Sequence, residues 1–242
     1  MKRFIPASVI FTIVAILAVV TGCSDRSDSP IAPGTTGDGS LLKVLPAHSH
    51  AYGKSLAQWS AEWWKWGMSL PVVGSVPPHP FVDDPNFDVT WGQSGKVWFL
   101  AAPGGSPVVR TCTIPNGKAL FICVIGAEAS DLEGLGNTEA EQRAMAASFA
   151  DIIVEPFCTV DGVPLQNIGD YRVSSPQFTF TAPDPWIFSP APGGTGTSVS
   201  DGYFVMLTPL STGAHTLHYG GSFDFGGGNF YSFDMTYHLT VQ

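Results

Sequence analysis

Two glutamates stand in surroundings that would change their chemistry. Glu128 closes the apolar run "KALFICVIGAE" (118–128) and is followed by "ASDLEG", while Glu62 is set among the tryptophans of "QWSAEWWKWGMSLP" (58–71). A carboxyl group in apolar surroundings has its pKa raised, which suits general acid work. With Asp131 or Glu133 in support, the two would serve a hydrolase of the paired-carboxylate kind if they meet within ~5–10 Å around one pocket. The plainer use is that Glu62 pairs with Lys65 on a helix surface and Glu128 caps a loop.

Other catalytic signatures are missing. Gly92-Gln93-Ser94-Gly95 starts like a nucleophile elbow but lacks the second spacer of G-x-S-x-G, and it precedes a strand rather than a helix. There is no phosphate loop, dinucleotide fingerprint or paired C-x-x-C motif, so no cofactor is expected. His48 and His50 lie before the first helix and His79 in a Pro-rich loop, whereas His215, His218 and His238 fall on C-terminal strands. His218 and His238 would point the same way if their strands are neighbours, with Asp224 nearby, and imidazole and carboxylate are zinc ligands. Histidines on the wet face of a strand are ordinary, so no metal site is assigned. The net charge of −9, which becomes more negative once Lys2 and Arg3 leave with an export segment, repels phosphate backbones and argues against nucleic acid.

These residues need a frame. Ser55 and Gln58 form an S-x-x-Q capping box, so a helix is expected from Leu56. Leu56, Trp59, Trp63, Trp66 and Leu70 make one stripe at helical spacing, and Ala57, Ala61, Trp64 and Met68 a second beside it. Gln58, Ser60, Glu62 and Lys65 are the polar remainder; Gly67 and Pro71 are expected to stop the helix. Burying a tryptophan removes ~150–250 Å² from water, so the stripe reads first as core and second as an aromatic ligand surface. Trp64, on the flank, is the ring expected to be reachable by a ligand. A second helix, from about Glu139 to Asp151, follows from the Thr138–Glu141 capping box.

The rest of the periodicity is strand. "KVWFLAA" (96–102), "VVRTCTI" (108–114) and "KALFICVIGAE" (118–128) are apolar runs, the last two flanking Pro115-Asn116-Gly117, a hairpin signal. "EPFCTV" and "VPLQNI" are joined by Asp161-Gly162, a second hairpin. "YRVSSPQFTFTA", "GYFVMLTPL", "AHTLHYGGSFDF" and "FYSFDMTYHLTV" supply four more, the last alternating apolar and polar throughout. Residues 184–200 read as a long Gly/Pro loop. Charged residues are only 13% of the chain, against a usual ~25%, and Gly and Pro number 27 and 20, which favours strands and turns. The expectation is a mainly β fold: an antiparallel β-sandwich, immunoglobulin-like, with two packed helices, in which His215 stands where such corners often carry tyrosine.

The N-terminus "MKRFIPASVIFTIVAILAVVTGC" has a basic start and an apolar run too short to span a bilayer. Its ending Val20-Thr21-Gly22-Cys23 resembles the lipobox of bacterial lipoproteins, which implies cleavage before Cys23 and lipidation of its sulfur. Residues 1–22 are then the signal peptide, 23–40 a polar Pro/Gly-rich tether, and 41–242 a single β-rich globular domain. The chain is placed in the bacterial cell envelope, a lipoprotein facing the periplasm or the exterior, with the membrane as partner through its lipid.

That compartment is oxidising, and Cys112, Cys123 and Cys158 allow one bridge at most. With Asn116-Gly117 as the turn, Cys112 lies opposite Phe121; a shifted register would set it opposite Cys123, so both Cys112–Cys123 and Cys123–Cys158 stay open, the latter preferred. From residue 51 to 242, "YGKSLAQWSAEWWKWGMSLP", "GQSGKVWFLAA", "RTCTIPNGKALF", "DGVPLQNIGDYRVSSPQFTFT", "DGYFVMLTPL" and "GAHTLHYGGSF" together resemble a group of secreted bacterial proteins of uncharacterised activity. Members of that group often carry a cysteine just before the "GQSG" block that bridges to the one matching Cys112. Here that stretch is "NFDVTW", which leaves Cys112 unpaired and favours Cys123 with Cys158.

The leading expectation is a lipid-anchored β-sandwich that binds a ligand or an envelope partner, of glycan or protein type, through aromatic and loop surfaces. The alternatives are the hydrolase using Glu62 and Glu128, and a structural envelope protein.

Overall fold

The computed structural model describes residues 44–74, 77–105 and 107–242. The signal, Cys23 and the tether lie outside the described residues, while Leu41–Gln242 form one compact unit. Among the described residues no helix is long and apolar enough to cross a membrane.

The chain enters by a two-stranded ribbon, β1 (His50–Ala51) and β2 (Lys54–Ser55), turned by Tyr52 and Gly53, both at positive φ. It runs straight into α1 (Leu56–Ser69). Both halves of the Ser55–Gln58 capping box are made, which is why the helix starts where the sequence says. Gly67 does not stop it. Gly67 lies inside the helix, against the tip of the Phe81 ring, where a Cβ would collide; the helix ends at Ser69, and its cap Leu70 is already extended, as the residue before Pro71.

Two five-stranded sheets follow. The first is ordered β3 (Val97–Leu100), β5 (Ala119–Ser130), β10 (Gly194–Leu207) and β8 (Arg172–Ser174), with β9 (Phe178–Ala182) also paired to β10. The second is ordered β4 (Pro107–Ile114), β12 (Phe230–Val241), β11 (Gly213–Asp224), β6 (Ile153–Val160) and β7 (Val163–Pro164). A second helix, α2 (Glu139–Ala150), starts at its expected Thr138–Glu141 box.

Among the described residues the fold is mainly β with two α-helices, and four details correct the sequence reading. First, Pro115-Asn116-Gly117 is not a hairpin: β4 and β5 belong to different sheets, and the turn carries the chain from one to the other. Second, the sheets are not purely antiparallel, since β3 runs parallel to β5 and β4 parallel to β12. Third, Cys112 lies opposite Leu239 of β12, not Phe121. Fourth, the second half of the 184–200 loop is strand, because β10 begins at Gly194 to pair with β9. The Asp161-Gly162 turn does form a two-residue hairpin between β6 and β7, with both residues at positive φ.

The core explains β5, which is buried over most of its length. On one face Phe121 and Phe204 meet Trp59 and Trp63 of α1. On the other, Ile125 packs against Gly221 of β11 in the second sheet. A strand covered on both faces has no wet side, so it reads as a continuous apolar run.

Candidate functional site

Leu56, Trp63, Trp66 and Leu70 are buried and Trp59 is partly so, which makes the stripe core. Trp63 donates from Nε1 to the Leu100 carbonyl at 2.9 Å and stacks on Phe81 with centroids 5.2 Å apart. Trp64, expected to be reachable, is 6% exposed and enclosed by Trp63, Phe81 and Phe188. The loops carrying Phe81 and Phe188 close over a flank that helix periodicity alone leaves open. The half-exposed ring is Trp59, whose face carries the Lys54 ammonium 5.0 Å from its centroid.

Glu128 and Glu62 part company. Glu128 sits on β5 opposite Ser200, buried, and accepts from the Ser198 hydroxyl. Burial first, then the neighbouring Glu133 charge and carboxyl contact, push its pKa well up, against the opposing hydrogen bond from Ser198. Its expected supporters are close by: Glu133 accepts from Ser130 at 2.7 Å, and Asp131 accepts from the Thr197 N–H at 2.9 Å and its hydroxyl at 3.1 Å. Each member of this acidic group is thus engaged by protein donors. Glu62 is elsewhere, on the polar stripe of α1.

That stripe walls an open cleft of about 390 Å³. Gln58, Glu62 and Lys65, at i, i+4 and i+7, project from α1 beside Lys54 of β2, and Gln177 and Thr179 at the edge of β9 face them. Ala61, Pro176 and Phe178 complete the lining. Glu62 Oε1 is shared by two ammonium groups, Lys65 Nζ at 3.2 Å and Lys54 Nζ at 3.9 Å. The expected Glu62–Lys65 pair therefore forms. Pairs this exposed contribute about 0.2–1 kcal/mol, so a ligand group can displace them at small cost. Glu128 does not line this cleft. The spacing of Gln58, Glu62 and Lys65 was legible in the sequence; the strand that faces them was not.

A Ser–His–Asp arrangement went unnoticed in the sequence. His215 Nδ1 lies 2.7 Å from Asp161 Oδ2, and its Nε2 3.2 Å from Ser211 Oγ. Nε2 is nearer, at 2.9 Å, to the carbonyl oxygen of Ser211 itself. With the Ser211 carbonyl nearer than its hydroxyl and Asp161 on the other side, the imidazole is a clasp that ties the β10–β11 corner to the β6–β7 turn. Asp161 also accepts from the Thr216 N–H at 2.8 Å, completing it. On the outer face of the second sheet His218 meets Asp234 at 2.8 Å, while Asp224 lies at the far end of β11 and caps the Gly226 N–H. Among the described residues no three His, Cys, Asp or Glu converge as metal ligands.

Ser94 is exposed, and Gln93 explains its block structurally: its amide bonds both the N–H and the carbonyl of Phe99, at 2.9 and 2.8 Å. Arg110 is buried, and its guanidinium is caged by the carbonyls of Pro80, Val82 and Ala101, with Phe87 beneath it at 4.1 Å. Cys112, Cys123 and Cys158 are all free thiols, with no bond between Cys123 and Cys158. Burial raises the pKa of each, that of Cys158 to about 12, which makes them poor nucleophiles.

No known protein family matches the chain, and no curated protein does. One solved structure that matches is the solution structure of amebosin, 14% identical over 57% of this chain and 100% of that one, with a TM-score of 0.16. A likeness so slight carries no argument about fold or function.

Proposed function

We propose that the chain is a binding protein of the bacterial envelope, held to a membrane through lipidated Cys23 and taking a small polar ligand of glycan type in the cleft beside α1. The cleft carries this reading: its volume falls in the range of small-ligand sites, and its rim of amide, hydroxyl, ammonium and carboxylate groups is the equipment for binding hydroxylated molecules. Aromatic rings act in this reading as the floor of the scaffold, since the tryptophan stripe is core. Binding is favoured over hydrolysis because Glu62 and Glu128 do not line a common cleft, which paired-carboxylate chemistry requires. The immunoglobulin-like form of the sandwich belongs to the same proposal, supported by the His215 clasp at the corner where such domains often use tyrosine.

The test is a glycan array probed with the full-length protein and with Thr179→Trp, which fills the cleft from an exposed position. Binding by the wild type that the variant loses supports the proposal. Binding that Thr179→Trp leaves intact removes the cleft from it, and turnover of an arrayed glycan would replace binding by hydrolysis.

A further inference from the structure

The geometry points to a carboxylate-bearing sugar as the ligand class of this cleft, with the Glu62 carboxylate occupying the position that the ligand's acid group would take. This inference rests on the cleft being the binding site. Lys54 and Lys65 converge on a single oxygen of Glu62, so two cations meet one anion and the cleft keeps one positive charge in excess. Among the described residues the three arginines are committed: Arg110 to its carbonyl cage, Arg143 to Glu139 at 2.6 Å, Arg172 to Asp151 and Asp201 at 2.8 and 2.9 Å. The chain as a whole carries −9. An excess of positive sign beside α1 is therefore a local feature set against the background.

Distance decides which field a ligand feels. The screening length is about 8 Å at physiological salt, so the scattered carboxylates are largely screened while an ammonium 3–4 Å from a bound acid group is not. Each ammonium has three donors, and only one lysine is within ordinary hydrogen-bond reach of Glu62, which leaves donors for a second acid group or for hydroxyls. Gln58, Gln177 and Thr179 on the exposed rim match ring hydroxyls, and the exposed ring of Pro176 offers an apolar surface for the C–H face of a pyranose. An anionic peptide would satisfy the lysines as well, and it is one outcome of the test.

Glu62 gives the inference its sharpest consequence, because it competes with an acidic ligand and would assist a neutral one. The test is calorimetric titration of the full-length protein with an oligogalacturonate, with the neutral galactose oligomer of equal length and with oligo-glutamate, repeated on Glu62→Gln and Lys65→Ala. The side chains of Glu62 and Lys65 are 34% and 37% exposed, and circular dichroism checks that each variant is folded. The expected result is oligogalacturonate binding that weakens with salt, weakens about tenfold in Lys65→Ala and tightens roughly two- to fivefold in Glu62→Gln, the fold-changes that correspond to the strengths of such contacts. Equal binding of the neutral oligomer, weakened in Glu62→Gln, overturns the acidic class while leaving the cleft as the site. Equal binding of oligo-glutamate overturns the sugar. Binding indifferent to both substitutions, or none by any probe, overturns the inference, and Thr179→Trp then decides whether the cleft falls with it.

Discussion

Trp63 and Trp64 are adjacent, buried to 4% and 6%, and differ in one respect. The indole N–H of Trp63 donates to the Leu100 carbonyl, whereas that of Trp64 is buried without a partner among the described residues. Replacing each by phenylalanine removes a similar part of a buried ring, and that packing loss largely cancels between the two variants. What remains is the hydrogen bond. Trp63→Phe strands a buried carbonyl, which costs about 1–3 kcal/mol, while Trp64→Phe removes a donor that was already unsatisfied. Trp63→Phe is therefore expected to be less stable than Trp64→Phe by about 1–3 kcal/mol. Trp63→Ala, which also empties the space between Phe81, Trp64 and Phe204, should lose about 3–5 kcal/mol for the cavity, a large share of a typical ~5–15 kcal/mol. The assay is urea unfolding followed by circular dichroism, comparing midpoints at constant slope. Equal midpoints for the two phenylalanine variants would refute the hydrogen-bond argument, and a near-neutral Trp63→Ala would refute burial of the stripe.

Glu128 has a folded-state pKa above its ordinary 4.5, so the folded state holds its proton longer than the unfolded chain and stability falls as pH rises past 4.5. Glu128→Gln should remove that decline, seen as a thermal midpoint that depends less on pH above 4.5; an unchanged profile refutes it. His79 acts in the opposite sense, since burial lowers its pKa from 6.5 to about 4 against the opposing bond to the Gly67 carbonyl. The unfolded chain takes up that proton first, so stability should be lost as pH falls from 6.5 towards 4, and His79→Gln should flatten this limb of the same profile. Cys23→Ser should abolish fatty-acid labelling and partition into detergent phase, and equal labelling of both forms would remove the lipoprotein proposal. Thiol titration of the unfolded, unreduced protein should find Cys112, Cys123 and Cys158 all reactive; a single reactive thiol would reveal a bridge, and labelling confined to Cys112 would assign it to Cys123 and Cys158.

Signals that act within a few residues were legible in the sequence. Both capping boxes start their helices because donor and acceptor are three residues apart, and Asp161-Gly162 turns β6 into β7 because two positive φ angles are a local requirement. The tryptophan stripe and the alternation of β12 from Met235 to Val241 announced their buried faces for the same reason: period and face are properties of one element. Partnership between elements is not. Nothing near Asn116-Gly117 says that β4 will pair with β12 and β5 with β10, because the energy that separates hairpin from crossover lies in strands more than a hundred residues away for β4. Loops carrying Phe81 and Phe188 turned Trp64 from a flank into core, and Asp161 reached His215 only through the β6–β11 pairing. The cleft shows the division most plainly. Helix periodicity put Gln58, Glu62 and Lys65 on one face, but a wall becomes a site only when something faces it, and packing of α1 against the edge of β9 supplied that.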